Sequence, residues 1–188
     1  MIVIKLGGSL SQSDALGRCL RHLQTNYQGR DVVIVPGGGA FAEQVRLAQR
    51  QLGFDDRTAH YMAILAMQQM ALLMHALLPG TQLVHTVGDI RRQKAGFGLQ
   101  VWSPDYRELD LAGIPASWDI SSDSLAAWLA TTIVAKELVV VKAAAVDPQL
   151  SLQQLAKQGI IDAGFCGYAS SAPFKLRLLS QQQFLAIQ

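Results

Sequence analysis

At 188 residues, half of them hydrophobic and only 16% charged, the chain suits one domain with a sizeable core and excludes a disordered protein. Its net charge of +2 is scattered, with no Lys/Arg block and no basic stretch interleaved with aromatics, which argues against nucleic acid as a partner. The two cysteines, Cys19 and Cys166, lack metal-ligand spacing, and a reduced, cytoplasmic compartment is the simpler expectation.

The chain opens as a strand, so no signal peptide is read. Residues 1–6 read as a strand, 12–26 as a helix, 31–36 as a strand and 39–52 as a helix. Met, Ala, Ile and Leu then recur at helical spacing over about 57–78. The most apolar part, Met62 to Leu78, contains Gln68, Gln69 and His75, and is too short and too polar for a membrane span. Leu83 to Val87 is a short strand, 88–97 a loop or short helix, and Leu99 to Trp102 a strand ended by Ser103-Pro104. Pro115 to Trp118 leads into a helix at 122–135. Leu138 to Lys142 has the fully apolar pattern of a buried parallel strand, ending in a lysine. Residues 151–158 and 172–182 read as helices, and Phe184 to Ile187 as a last edge strand. Such alternation predicts an α/β fold with a largely parallel sheet.

Two glycine turns follow the first two strands. Ile2-Val3-Ile4-Lys5-Leu6 runs into Gly7-Gly8-Ser9, and Val32-Val33-Ile34-Val35-Pro36 into Gly37-Gly38-Gly39-Ala40. A strand, glycine turn and helix start expose backbone N–H groups to an anion. Neither turn matches the Walker A or the full Rossmann pattern. Lys5 is costly to bury unless it meets an anion, although a strand-end lysine also snorkels to solvent. Three consecutive glycines weaken the chain unless backbone must approach a ligand closely.

The segment Trp118-Asp119-Ile120-Ser121-Ser122-Asp123-Ser124 opens a helix, where Asp and Ser commonly cap. Two aspartates four apart can also hold lysines or a metal near phosphates, and Asp123 is the better placed to orient ammonium groups. Lys142 and Asp147 divide evenly between a strand end with a turn and a nucleotide contact. Lys175 alone reads as a surface lysine, and His60 as a packed or partner-facing histidine. No His/Cys cluster suits zinc, and no Gly-x-Ser-x-Gly elbow supports acyl hydrolysis.

Taken together, Val3-Ile4-Lys5-Leu6-Gly7-Gly8-Ser9, Val35-Pro36-Gly37-Gly38-Gly39 and Asp119-x-x-x-Asp123 resemble the amino acid kinase family in order and spacing. The stretches His60-x-Met62-Ala63-Ile64 and Ser117 to Leu125 look closest to the branch that phosphorylates an aminomethylfuran phosphate in one-carbon cofactor synthesis. The resemblance implies a three-layer αβα sandwich, with residues 1–113 as the acceptor lobe and 114–188 as the nucleotide lobe. It implies ATP and Mg²⁺ as cofactors, a small anionic acceptor and a homodimer or higher homo-oligomer through helix 57–78, although the Met and Ala residues of that helix fit an internal core helix equally well.

By the same resemblance, Lys5 stabilises the transferring phosphoryl group, Asp123 organises the lysines and Lys175 is the second lysine. Gly7, Gly8 and Ser9 cradle ATP phosphates, helped by Lys142 and Asp147. Gly37, Gly38, Gly39, Asp119 and Ser121 face the acceptor. The chain departs from the family pattern after Val141, where Lys142-Ala143-Ala144-Ala145-Val146-Asp147-Pro148 replaces a Thr-Asp-Val-Asp-Gly-Val-Tyr-like segment. It also stops soon after Lys175, where family members continue with another strand and helix. Two alternatives follow from those departures: a binding or regulatory module that lost ATP, and a structural subunit of an active partner.

Overall fold

The Val, Ile and Leu runs of the four central strands are nearly continuous because both faces of those strands are buried, whereas the two edge strands are partly exposed. The computed structural model describes residues 1–170 and 172–187. Six strands form one sheet: β1 (Ile2–Leu6), β2 (Val32–Pro36), β3 (Gln82–Val84), β4 (Leu99–Trp102), β5 (Glu137–Lys142) and β6 (Lys175–Ser180). Their order is β3-β4-β2-β1-β5-β6, and every pairing is parallel. From β1 the chain steps to β2 and then to β3 and β4 on the same side, before crossing to β5 on the other side of β1. That reversal opens a crevice at the carboxyl ends of β1 and β5, where ligands bind in open α/β sheets.

Nine α-helices cover the two faces among the described residues: α1 (Ala15–Asn26), α2 (Gly39–Leu52), α3 (Asp56–Leu77), α4 (Val87–Arg91), α5 (Tyr106–Leu111), α6 (Ser122–Thr132), α7 (Leu152–Lys157), α8 (Phe165–Ala169) and α9 (Gln181–Leu185). Strand alternation sorts the core into two clusters. Val3, Val33, Val35, Leu138 and Val140 pack with Leu125 and Leu129 of α6 and Phe165 of α8. Ile4, Leu6, Ile34, Val139 and Val141 pack with Leu20 and Leu23 of α1, Met70 and Met74 of α3 and Phe184 of α9. The result is the expected αβα sandwich.

The C-terminal part differs from the sequence reading. Residues 175–180 are a strand, not part of a helix over 172–182, and 181–185 are a helix, not the start of an edge strand. Leu176 and Leu178 stand two apart and face the same cluster, while Glu137 of β5 meets Arg177 at 3.6 Å. Pairing with β5 along six residues outweighs the helix propensity of Lys, Leu and Arg. The α9 start carries its own signature: Ser180 and Gln183 form a reciprocal capping box. Residues 115–118 form a loop before α6, β3 stops at Val84 because Thr86 caps α4, and α5 and α8 are additional short helices.

Candidate active site

Because Lys5 alternates with Val3, it projects toward the face covered by α6 and not toward solvent. There its Nζ lies 2.7 Å from Asp123 Oδ1, and both side chains are 3% exposed. Asp123 sits in the first turn of α6, so its carboxylate also faces the partial positive charge of the helix start. From the end of β5, Lys142 Nζ reaches the other oxygen of Asp123 at 2.5 Å, with 14% of its side chain exposed. Two ammonium groups thus share one buried carboxylate, and the Asp162 carboxylate is near enough to favour the charged form of Lys142.

Burial pushes the Asp123 carboxyl up, but the charges of Lys5 and Lys142 and their hydrogen bonds more than reverse this, leaving it below the usual carboxylate range. Lys142 is pushed down to about 8, first by burial and then by the Lys5 charge, with Asp123 opposing both.

A second carboxylate holds this arrangement from outside the helix. Asp162 accepts from Ser121 N at 2.9 Å, Ser121 Oγ at 2.7 Å and Ser124 N at 3.0 Å, and also from Ser124 Oγ. Its own backbone N–H donates to Asp123 Oδ2 at 3.3 Å. Asp162 therefore caps α6 across some forty residues of sequence, replacing the local cap that Ser121 does not make. Nothing in the Ile161-Asp162-Ala163 text marks this role. It depends on the chain returning to the crevice.

The two glycine turns meet each other. A Cβ on Gly8 would lie 2.4 Å from Gly39 N, and one on Gly37 would lie 2.3 Å from Gly8 N. Glycine is required at both positions because backbone packs on backbone, which replaces the reading that only a ligand demands it. Gly39 also has φ +57°, a conformation that L side chains rarely adopt. Gly7 donates its N–H to Val141 O and Gly37 donates to Leu6 O, both at 2.9 Å, so these two amides are committed to the sheet. The following amides open a 3-10 turn at Gly8–Gln12 and helix α2, neither with a side-chain cap.

Two cavities flank this core. The first, of about 330 Å³, is lined by Gly8, Ser9, Gly37, Gly38, Gly39 and the buried His60, with apolar side chains of α3 behind them. The second, of about 340 Å³, holds Lys5, Asp123, Lys142, Asp162 and the Gly159–Ala163 segment. Ser121, Arg46 and Trp118 border both. Arg46 stacks on the Trp118 ring at 4.0 Å, and Trp118 Nε1 donates to Gln49 Oε1 at 2.6 Å.

Several expected residues lie elsewhere. Lys175 begins β6 opposite Glu137, at the other end of the sheet from Lys142, and is exposed. It does not join Lys5 and Asp123, because a strand that starts there carries its first residue away from the crevice. Lys142, and not Lys175, is the second ammonium group beside Asp123. Asp119 is exposed and borders neither cavity. Asp147 folds into a turn with Gln149 N at 2.9 Å and borders a separate cavity of about 290 Å³ lined with leucines. Ser121 reaches both cavities, but its hydroxyl is given to Asp162. Gly8 and Ser9, expected at the ATP phosphates, line the same cavity as Gly37, Gly38 and Gly39, expected at the acceptor, so the two glycine turns face one space and not two.

The model for the amino acid kinase family matches residues 1–145. A curated relative, [5-(aminomethyl)furan-3-yl]methyl phosphate kinase from Methanocaldococcus jannaschii, is 26% identical over 141 residues, covering 74% of this chain and 64% of the relative. The chain thus spans just under two thirds of the length of that relative. Among solved structures, uridylate kinase from Archaeoglobus fulgidus superposes with a TM-score of 0.74 at 18% identity, covering 98% of this chain and 93% of the other. UMP kinase from Ureaplasma parvum superposes at 0.71 and 17%, covering 98% and 91%.

Proposed function

Since the chain belongs to the amino acid kinase family, we propose that it transfers the γ-phosphoryl group of ATP to a small anionic acceptor. The observation that carries this reading is the buried Lys5–Asp123–Lys142 group, two ammonium groups held on one carboxylate, which opens onto the second cavity. Buried ammonium groups are costly in an empty scaffold and useful against phosphate oxygens. For the same reason a binding module or a structural subunit explains the site less well.

Polyphosphate fits the donor set: two ammonium groups and a carboxylate that spaces them, with the Asp162 carboxylate on the same wall already engaged by Ser121 and Ser124. Bound ATP supplies the phosphoryl group and a diphosphate leaving group. Lys5 and Lys142 neutralise charge on the oxygens that develop it, where a positioned donor contributes roughly 3–4 kcal/mol to the barrier. Asp123 fixes their separation, and Asp162 fixes Asp123 by holding α6. Among the described residues no group of three or more His, Cys, Asp or Glu is gathered for a metal. A magnesium ion in this reading arrives on the nucleotide phosphates, the usual arrangement for that ion.

The first cavity takes the acceptor. Uncapped amides at Gly8, Ser9, Gly38 and Gly39 receive its charged end, which suits an acceptor that is already ionised. The Methanocaldococcus relative makes an aminomethylfuran phosphate the first acceptor to test. Helix α3 leaves Met62, Leu65, Leu72, Leu73 and Leu77 exposed, and a homodimer through this helix is part of the proposal.

Incubation with MgATP and [5-(aminomethyl)furan-3-yl]methyl phosphate tests the reading by ADP release and by mass of the product. Formation of a diphosphate, lost in Lys5→Ala, supports it. An unaltered chain that neither binds MgATP nor releases ADP with that acceptor or other phosphomonoesters overturns it.

A further inference from the structure

The two cavities share three residues: Arg46, Trp118 and Ser121. Two of these have already spent their polar groups. The Ser121 hydroxyl donates to Asp162, and the Trp118 N–H donates to Gln49. Arg46 differs. Among the described residues its guanidinium makes no ion pair and no side-chain hydrogen bond; the residue is exposed, and its Cζ lies over the Trp118 ring, 4.0 Å from the centroid. The carboxylate on the same wall, Glu43, is paired with Arg50 at 3.5 Å. One forked cation therefore stands uncommitted where the acceptor cavity opens onto the lysine cavity.

Helical spacing puts it there. Gly39, Ala42, Glu43 and Arg46 recur at i, i+3, i+4 and i+7 and all line the first cavity. The cation–π contact with the ring holds the guanidinium at this place on the cavity wall. The Gln49 bond in turn fixes the ring, which ties the 114–121 loop to α2.

We propose that Arg46 is the group that reads the acceptor's charged end, and that this end is a phosphomonoester dianion and not a carboxylate. The proposal rests on the kinase reading of the same site. Transfer between two anions must bring like charges within about 3–3.5 Å of each other. A cation at the junction of the two cavities lowers that repulsion. The donors also outnumber what a carboxylate accepts: two turns present uncapped amides and Arg46 adds a fork, which three terminal phosphate oxygens satisfy and two carboxylate oxygens do not. In the step itself, one acceptor oxygen attacks the γ-phosphorus. The new P–O bond forms as the bond to the β–γ bridging oxygen breaks, and its electron pair leaves with ADP. The attacking oxygen carries no proton to remove.

Calorimetric titration of phenyl phosphate and of benzoate separates the two charge types, with MgATP titrated in parallel. The unaltered chain is expected to bind phenyl phosphate more tightly than benzoate. Arg46→Met is expected to weaken phenyl phosphate at least tenfold and MgATP less than twofold, with Arg46→Lys intermediate because it keeps the charge and loses the fork. Lys175→Met, exposed at the far end of the sheet, is expected to leave phenyl phosphate unchanged. The proposal is overturned if Arg46→Met binds phenyl phosphate like the unaltered chain, if Lys175→Met loses it equally, or if the unaltered chain prefers benzoate or binds neither anion. Failure of MgATP to bind removes the kinase reading, while the phenyl phosphate titrations still decide what Arg46 does.

Discussion

Lys5 Nζ and Asp123 Oδ1 stand 2.7 Å apart with both side chains 3% exposed, a charge pair formed between the first strand and a helix more than a hundred residues later. Since Lys142 leans on the same carboxylate, Asp123→Ala leaves two buried ammonium groups with no counter-charge. The expected loss is about 3–5 kcal/mol of unfolding free energy. Urea unfolding of the variant beside Lys5→Met measures it. A stability unchanged from the unaltered chain would show that the pair is not desolvated.

Lys142, and not Lys175, is expected to matter for turnover. Lys142→Ala should cost about 10²-fold or more in kcat, the scale of a lost charge-stabilising donor. Lys175→Ala should stay within about twofold, as for a surface substitution. Equal losses in the two variants would mean that β6 rearranges to bring Lys175 into the crevice.

The lowered position of Lys142, about 8, sets an alkaline limb. Above that pH the folded chain gives up the proton and the ammonium that faces phosphate becomes neutral, so kcat should fall as pH rises through about 8. Lys142→Arg keeps its charge to far higher pH and should remove the limb, whatever it does to the maximal rate. On stability the sign is opposite: between about 8 and 10.5 the unfolded chain holds more protons than the folded one, so unfolding free energy rises with pH there.

His60 is 5% exposed against the first cavity. Burial holds it below its ordinary value, with the Ser117 backbone and the Asp110 charge only partly opposing. Below about 6.5, the ordinary value, the unfolded chain takes a proton that folded His60 resists, so stability should drop on acidification from neutral pH. His60→Asn should flatten that part of the pH profile. Thermal melts between pH 7 and 5.5 compare the two.

At Gly8 a methyl group meets Gly39 N at 2.4 Å, whereas at Gly167 it meets nothing within 4 Å. Gly8→Ala is therefore expected to cost about 1–3 kcal/mol or more through forced separation of the two turns. Gly167→Ala should be near neutral or slightly stabilising. Melting temperatures of the two variants decide this.

Strands β1, β2, β4 and β5 and helices α2 and α3 were readable in the sequence because each has a single strong period and a glycine, proline or cap at its ends. The Lys5–Asp123 pairing was readable for another reason: a lysine in an apolar strand and an aspartate just inside a helix both need a partner. Lys142 carried the same signal, an ammonium at the end of a fully apolar run, but without a fold nothing ranked it above Lys175. The error over 175–185 arose where leucines spaced by two and by three satisfy both periods. There the deciding contact, pairing with β5, is not local. Asp162 and the Arg46–Trp118 stack were invisible for the same reason, since each joins segments about forty or more residues apart.

The bond set of Asp162 sets a lower bound on how far the segment after β5 can be trimmed. The chain must leave Lys142, travel out over α7 and come back to place one carboxylate on the first turn of α6. Excisions within residues 143–158 that preserve this return leave the helix start anchored. Any that pull residue 162 away free that turn and, with it, the spacing of the two ammonium groups.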